Sequence, residues 1–196
     1  MFGFLKRQRE DTIGYSGSDT HKHIDALIND NGRYLRIITP YIGISYARML
    51  LSISKRKRIE LLISGDSNKK DEEAVSLLLK KGRRMDKRLV LILFIAMVAS
   101  AIIKLYLITI GFGVLLAIAI LFGLVLNPGG RDITTKIATD RFVHEKMYIS
   151  ENMAIVGSAN LTYSGTHRNV EHIEIIKDKE RIEQLNRHFK DIWGKY

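Results

Sequence analysis

The stretch LVLILFIAMVASAIIKLYLITIGFGVLLAIAILFGLVL, residues 89–126, holds one charged side chain, Lys104, in 38 positions. A single helix of that length would extend about 57 Å at 1.5 Å per residue, almost twice the ~30 Å hydrocarbon core of a bilayer. Two short helices with a tight turn fit instead, and the turn has two candidate places, Lys104 and the Gly111-Phe112-Gly113 step. With the turn at the glycines, Lys104 lies near the far interface and can snorkel its ammonium into water. A soluble fold of 196 residues has no core large enough to bury so long an apolar run. The reading is a transmembrane helical hairpin over residues 88–127, closed by the breakers Asn127, Pro128, Gly129 and Gly130. A re-entrant hairpin that does not cross is its rival.

The formal charge of +10 is distributed unevenly. Residues 55–88 carry twelve basic and six acidic side chains, which places six of the ten excess charges just before the apolar run. Lys80, Lys81, Arg83, Arg84, Lys87 and Arg88 precede the hairpin, and Arg131 and Lys136 follow it. Basic residues at both ends put both ends on the cytoplasmic side and favour contact with anionic headgroups. The expected location is the cell membrane, with the remaining residues facing the cytoplasm. This membrane flank accounts for most of the charge and leaves little that argues for nucleic acid. The absence of cysteine excludes disulfides, thiolate metal sites and cysteine nucleophiles. MFGFLKRQR is too short an apolar run for a signal peptide, so residues 1–14 read as an N-terminal tail.

Elsewhere the chain alternates helical and extended patterns. HKHIDALIND can be capped by Asp19 or Thr20 and sets Ile24, Leu27 and Ile28 on one face. YLRIITPYIG and IELLISG read as buried strands, with helices at SYARMLLSI and DEEAVSLLLKKG between and after them. Past the hairpin, TTKIAT is a possible strand, HEKMYIS and MAIVGS flank a two-residue link at Glu151 and Asn152, and EHIEIIK is a last strand. ERIEQLNRHFKDIWGKY closes as a helix with Ile182, Leu185, Phe189 and Trp193 along one side. The expected class is α/β, a largely parallel sheet covered by helices. Residues 15–87 form its first part and 128–196 its second, so both lie on one side of the bilayer and an even number of crossings separates them.

One cluster carries chemistry. VHEKMYISENMAIVGSANLT sets His144 and Lys146 two residues apart, and Ser158 and Asn160 repeat that spacing. Side chains two apart on an extended chain share a face. A phosphodiester repels nucleophiles through its anionic oxygens, so a site acting on one needs cationic and hydrogen-bonding groups around phosphorus. Lys146 offers an ammonium to a phosphate oxygen, and Ser158 and Asn160 offer a hydroxyl and an amide.

The stretch resembles the HxK…GSxN signature of the phospholipase D superfamily, the HKD phosphodiesterases, and the element order from about residue 15 onward is similar to that fold, a mixed sheet flanked by helices. In the usual pattern an Asp stands seven residues after the His, and Gly-Ser follows after six intervening residues; here Glu151 takes the Asp place and only five residues separate it from Gly157. The resemblance implies that His144 is the nucleophile of a phosphohistidine intermediate and that Glu171 orients the histidine ring. His144, Lys146 and Glu171 are then catalytic, Lys146, Ser158 and Asn160 hold phosphate, and no cofactor or metal is called for. His21 and His23 read as exposed residues at a helix start, and 55–58, KRKR, as a solvated or membrane-facing run. Arg168, close to the motif along the chain, is open to substrate contact or to a solvated loop role.

A phosphohistidine mechanism needs a nucleophile on one side of phosphorus and a proton donor on the other. A chain with one motif copy supplies one histidine, and the resemblance implies a homodimer that completes the site across a two-fold axis. The expected partners are therefore a second copy, the lipid bilayer and a phosphodiester substrate. A membrane-anchored nuclease is the first reading. A hydrolase or phosphatidyl transferase acting on anionic phospholipid such as cardiolipin is the second, and a non-catalytic phosphate-binding scaffold the third.

Overall fold

The computed structural model describes residues 11–65, 69–79, 87–102, 106–126 and 132–196. The chain divides into two compact units, Met1–Lys80 with Asp132–Tyr196, and Lys81–Arg131.

The first unit is built on one mixed sheet of seven strands. Its elements in chain order are β1 (Thr12–Gly17), α1 (His21–Ile28), β2 (Tyr34–Thr39), α2 (Ile44–Ile53), β3 (Arg58–Ser64) and α3 (Lys69–Leu79). After the second unit come β4 (Ile133–Ala138), β5 (Met147–Ser150), β6 (Ala154–Gly157), α6 (Tyr163–His167), β7 (Glu171–Ile176) and α7 (Lys179–Trp193). The strand order is β1-β7-β6-β5-β2-β3-β4. Only β2, β3 and β4 pair in parallel; β5, β6, β7 and β1 continue the sheet as antiparallel neighbours. The expectation of a largely parallel sheet is thus corrected to a mixed one. Helical crossovers join the parallel strands, whereas the link at Glu151 and Asn152 is too short for a crossover and turns β5 directly into β6. β1 begins at Thr12, inside the segment expected to be a tail, and residues 1–10 lie outside the described ones.

Period-2 alternation sorts the strands onto two core layers. Leu35, Ile37, Ile59, Leu61 and Ile63 face one layer with Ile24, Leu27 and Ile28 of α1 and Tyr46, Ala47 and Leu50 of α2. Ile38, Leu62, Met147 and Ile149 face the other, beneath Ile182, Leu185 and Phe189 of α7. A charged pair interrupts that second layer, where the Arg36 guanidinium donates to Glu60 at 2.7 Å and lies 4.7 Å from the Tyr34 ring centroid. Asp178 caps α7, its carboxylate accepting from the Arg181 amide at 2.7 Å.

A buried lysine fastens the lower end of the sheet. Lys57 is 3% exposed, and its ammonium donates to the carbonyls of Ile28 and Asp30 and, at 2.6 Å, to the Asp30 carboxylate. The other Asp30 oxygen accepts from Ser150 at 2.5 Å and from Asn152. Burial pushes the Asp30 pKa up, but hydrogen bonds from Lys57, Ser150 and the Gly32 amide outweigh it and hold the group below its ordinary value. Its stabilising contribution is therefore complete above the unfolded pKa and is lost as pH falls through the lower, folded one. Lys57→Met strands that carboxylate and is expected to cost about 3 kcal/mol in urea unfolding at neutral pH. The acid side of the stability profile should flatten in the same variant. An unchanged midpoint would show that the pair contributes nothing.

The second unit consists of α4 (Lys87–Ile102) and α5 (Tyr106–Leu126), which pack against each other. A Cβ on Gly113 would meet Met97 Sδ at 4.0 Å. Gly111 and Gly113 lie inside α5, so the turn is not at the glycines. The alternative at Lys104 falls on residues 103–105, outside the described ones, as do residues 80–86 of the basic flank and the breakers at 127–130. Among the described residues no helix is long and apolar enough to cross a membrane. The described side chains of α5 run from Ile110 to Leu121, about 18 Å of helix.

Candidate active site

The His144–Lys146 segment is extended but precedes β5, which begins at Met147. The Lys146 carbonyl accepts from the Gly157 amide at 3.3 Å, carrying the β5–β6 ladder one step past Val156. That step sets His144, Glu145 and Lys146 alongside Val156, Gly157 and Ser158. Together with Asn160 they line a cavity of about 410 Å³. Gly157 makes the arrangement possible, because a Cβ there would fall 2.2 Å from the His172 carbonyl oxygen and 2.8 Å from Ile173 Cα. With no side chain at that point, β6 and β7 close up and the Ser158 amide donates to His172 O at 2.9 Å.

The individual groups differ in environment. The His144 side chain is exposed, its ring centroid 5.7 Å from that of Phe142, and its ring nitrogens have no hydrogen bond among the described residues. Lys146 is 6% exposed, and its ammonium donates to the His144 carbonyl at 2.7 Å, with no carboxylate of the described residues in salt-bridge range. Burial lowers its pKa, and the nearby Glu171 charge opposes that shift without cancelling it. A buried ammonium with unfilled donors is what a phosphate oxygen requires. The Asn160 carboxamide oxygen is buried without a partner among the described residues.

Glu171 opens β7 and takes the Ser158 hydroxyl on one oxygen and the Asn169 amide, at 3.1 Å, on the other. Ser158 Oγ in turn accepts from the His172 amide at 3.0 Å. The contact between Glu171 and the His144 ring, implied by the resemblance, is therefore not made within one chain: the carboxylate is occupied by groups on its own strand junction. Glu151, at the place of the usual Asp, is bonded away from the cavity to Arg33, with Oε1 accepting at 2.7 Å. Glu145 went unremarked in the sequence, yet it lines the cavity and accepts from His188 at 2.9 Å. Its position between His144 and Lys146 was the only signal available.

A family profile described as "Cardiolipin synthase, PLD-like domain" matches residues 127–193, the stretch that contains every residue lining the cavity. Over that stretch the chain resembles the phospholipase D-like domain. Two solved structures of similar size share the fold. Nuc from Salmonella typhimurium, a phospholipase D family member, matches at 13% identity and TM-score 0.57, over 93% of this chain and 95% of its own. NucT from Helicobacter pylori matches at 13% identity and TM-score 0.56, with the same shares. Polyphosphate kinase from Porphyromonas gingivalis covers 99% of this chain with 28% of its own length, at 9% identity and TM-score 0.52. No curated protein matches. The mixed sheet shared with these structures is the scaffold on which this cavity is assembled.

The lowered Lys146 pKa has a measurable consequence. Binding of a phosphate oxygen needs the protonated amine, and the group loses its proton at a pH below the ordinary lysine value of 10.5. KM for a phosphodiester should therefore begin to rise on the alkaline side before that pH, while Lys146→Arg, whose charge persists, should show no such rise. Identical alkaline limbs in the two proteins would remove Lys146 from phosphate binding.

Proposed function

We propose that this chain is a membrane-anchored, metal-independent phosphodiesterase, a nuclease, that works as a homodimer through a phosphohistidine intermediate. The observation that carries the reading is the convergence of His144, Lys146, Ser158 and Asn160 on one cavity. His144 attacks phosphorus through a free ring nitrogen, forming the N–P bond as the bond to the leaving oxygen breaks. Lys146, Ser158 and Asn160 hold the non-bridging oxygens while charge builds on them. The leaving oxygen needs a proton, which the same histidine of a second copy supplies; water then cleaves the N–P bond and returns that proton. Glu171 is committed to Ser158 within its own chain, so orientation of the histidine ring is assigned to the dimer interface. The residues themselves supply the nucleophile, the cation and the acid, which leaves no step that calls for a metal ion.

Attachment to a bilayer is supported by the second unit, where Leu91, Ile92, Phe94 and Ile95 of α4 and Val114, Ile118 and Leu121 of α5 are all half exposed or more. Surfaces so apolar belong against lipid or protein. The basic residues around the hairpin assign the catalytic unit to the cytoplasmic face of the cell membrane. The description of the matched profile, cardiolipin synthase, favours a second reading, hydrolysis or transfer at anionic phospholipid.

The deciding experiment offers the full chain in detergent single-stranded DNA, RNA, duplex DNA and cardiolipin vesicles, each with EDTA. Cleavage of nucleic acid is the expected result, and turnover of cardiolipin alone would install the second reading. Loss of all turnover on adding EDTA would contradict the metal-free chemistry. No turnover of anything would leave a phosphate-binding scaffold.

A further inference from the structure

Beside the cavity stand three stacked rings that the proposed chemistry does not use. His21, at the head of α1, lies face to face with His167, with centroids 4.0 Å apart and 7° between the planes. Tyr163 lies 4.5 Å from His167 at 16°. Two nearly parallel rings cannot share one face, so His167 is sandwiched and Tyr163 is an end of the stack. The stack is held in place from behind. Thr166 is buried, its carbonyl lying 3.3 Å from His21 Nδ1 and its hydroxyl 2.8 Å from His167 Nδ1. Tyr163 itself is 56% exposed, with the Arg168 guanidinium 5.5 Å from its ring centroid. His21, expected to be idle at a helix start, and Arg168, with an open role, are thus brought to one surface.

The platform adjoins the cavity. Tyr163 is three residues beyond Asn160, so their Cα atoms are at most about 11 Å apart. Gly165 sits tight against Asn160, where a Cβ would fall 2.7 Å from the Asn160 carbonyl oxygen. A chain whose scissile phosphate lies at Asn160 passes Tyr163 within the next nucleotide or two.

We propose, resting on the nuclease reading, that Tyr163 is a base-stacking platform for single-stranded nucleic acid, with Arg168 reinforcing the stack or the adjoining phosphate. A half-exposed ring with a guanidinium over it presents two planar groups, and a base of any kind can stack on or between them without its edge being read. Duplex bases have both faces covered, a glycerol headgroup has no ring to stack, and Arg168 repels a quaternary ammonium. The single strand is the occupant that fits.

The test uses full-length His144→Ala in detergent with a single-stranded oligonucleotide carrying 2-aminopurine, whose fluorescence falls on stacking. Quenching is expected with His144→Ala and with His144→Ala/Tyr163→Phe. With His144→Ala/Tyr163→Ala the quench should disappear and the Kd rise by about tenfold. On the catalytically intact chain, Tyr163→Ala should raise KM about tenfold more for an oligonucleotide with bases than for one made of abasic sites. Equal quenching and affinity with and without the ring, or equal KM changes on the two oligonucleotides, would overturn the platform. Quenching by a chain that cleaves no phosphodiester would retain the platform and sink the nuclease reading instead.

Discussion

His144→Ala is expected to lower kcat for phosphodiester cleavage by about 10⁴-fold or more, with little change in substrate affinity. The ring is exposed and has no hydrogen bond among the described residues, so its removal should leave the fold intact. Lys146, Ser158 and Asn160 would still line the cavity and still bind phosphate. Denaturing mass spectrometry of the parent under turnover should find an acid-labile phosphoryl adduct at position 144 and none in the variant. Mixing tests the proposed dimer. If each active centre needs two histidines, equal amounts of parent and His144→Ala, allowed to exchange, retain about one quarter of the parent activity rather than one half. One half would mean that each chain works alone, and the proton donor would have to be sought elsewhere in the same chain.

Gly157→Ala should be the most destructive small substitution in the first unit, costing more than about 4 kcal/mol or preventing folding. The added methyl would lie 2.2 Å from a carbonyl oxygen on the neighbouring strand, and the backbone there has φ +158°. Neither the glycine nor His172 can yield without parting β6 from β7. Parting them breaks the Ser158–His172 pairing and releases Ser158 from Glu171. Gly14→Ala is the control, since a Cβ there meets only His172 Cε1, at an ordinary 3.7 Å. Thermal melts should separate the two variants by on the order of 10 °C or more. Equal melting temperatures would mean that the strands are not pinned at this point.

The two predictions meet at the same strand ends, and they show what was legible beforehand. Spacing set His144 with Lys146 and Ser158 with Asn160, because a side-chain period of two is a local property of the chain, and the resemblance to the HxK…GSxN signature singled them out as a site. Core faces were legible for the same reason, as with Ile24, Leu27 and Ile28 on α1, or Ile182, Leu185 and Phe189 on α7. Local pattern does not report which strand lies beside which. TIGYSG has little apolar content and pairs at the sheet edge with β7, so β1 gave no signal. The short link at Glu151 and Asn152 marked β5 and β6 as a hairpin, but the antiparallel places of β7 and β1 went unread because strand direction depends on partners far along the chain.

By itself the sequence determined the element types, the two-sided core and the apolar insertion, through periodicities that act over a few residues, and its resemblance to a known signature named the candidate phosphate-binding set. Tertiary structure alone decided three things. It committed Glu171 to Ser158 and not to the histidine, it buried Lys146 at the cavity, and it stacked His21 on His167 beside the exposed Tyr163. The reason is common to all three: hydrogen bonds, desolvation and ring stacking depend on neighbours that only the completed sheet brings together.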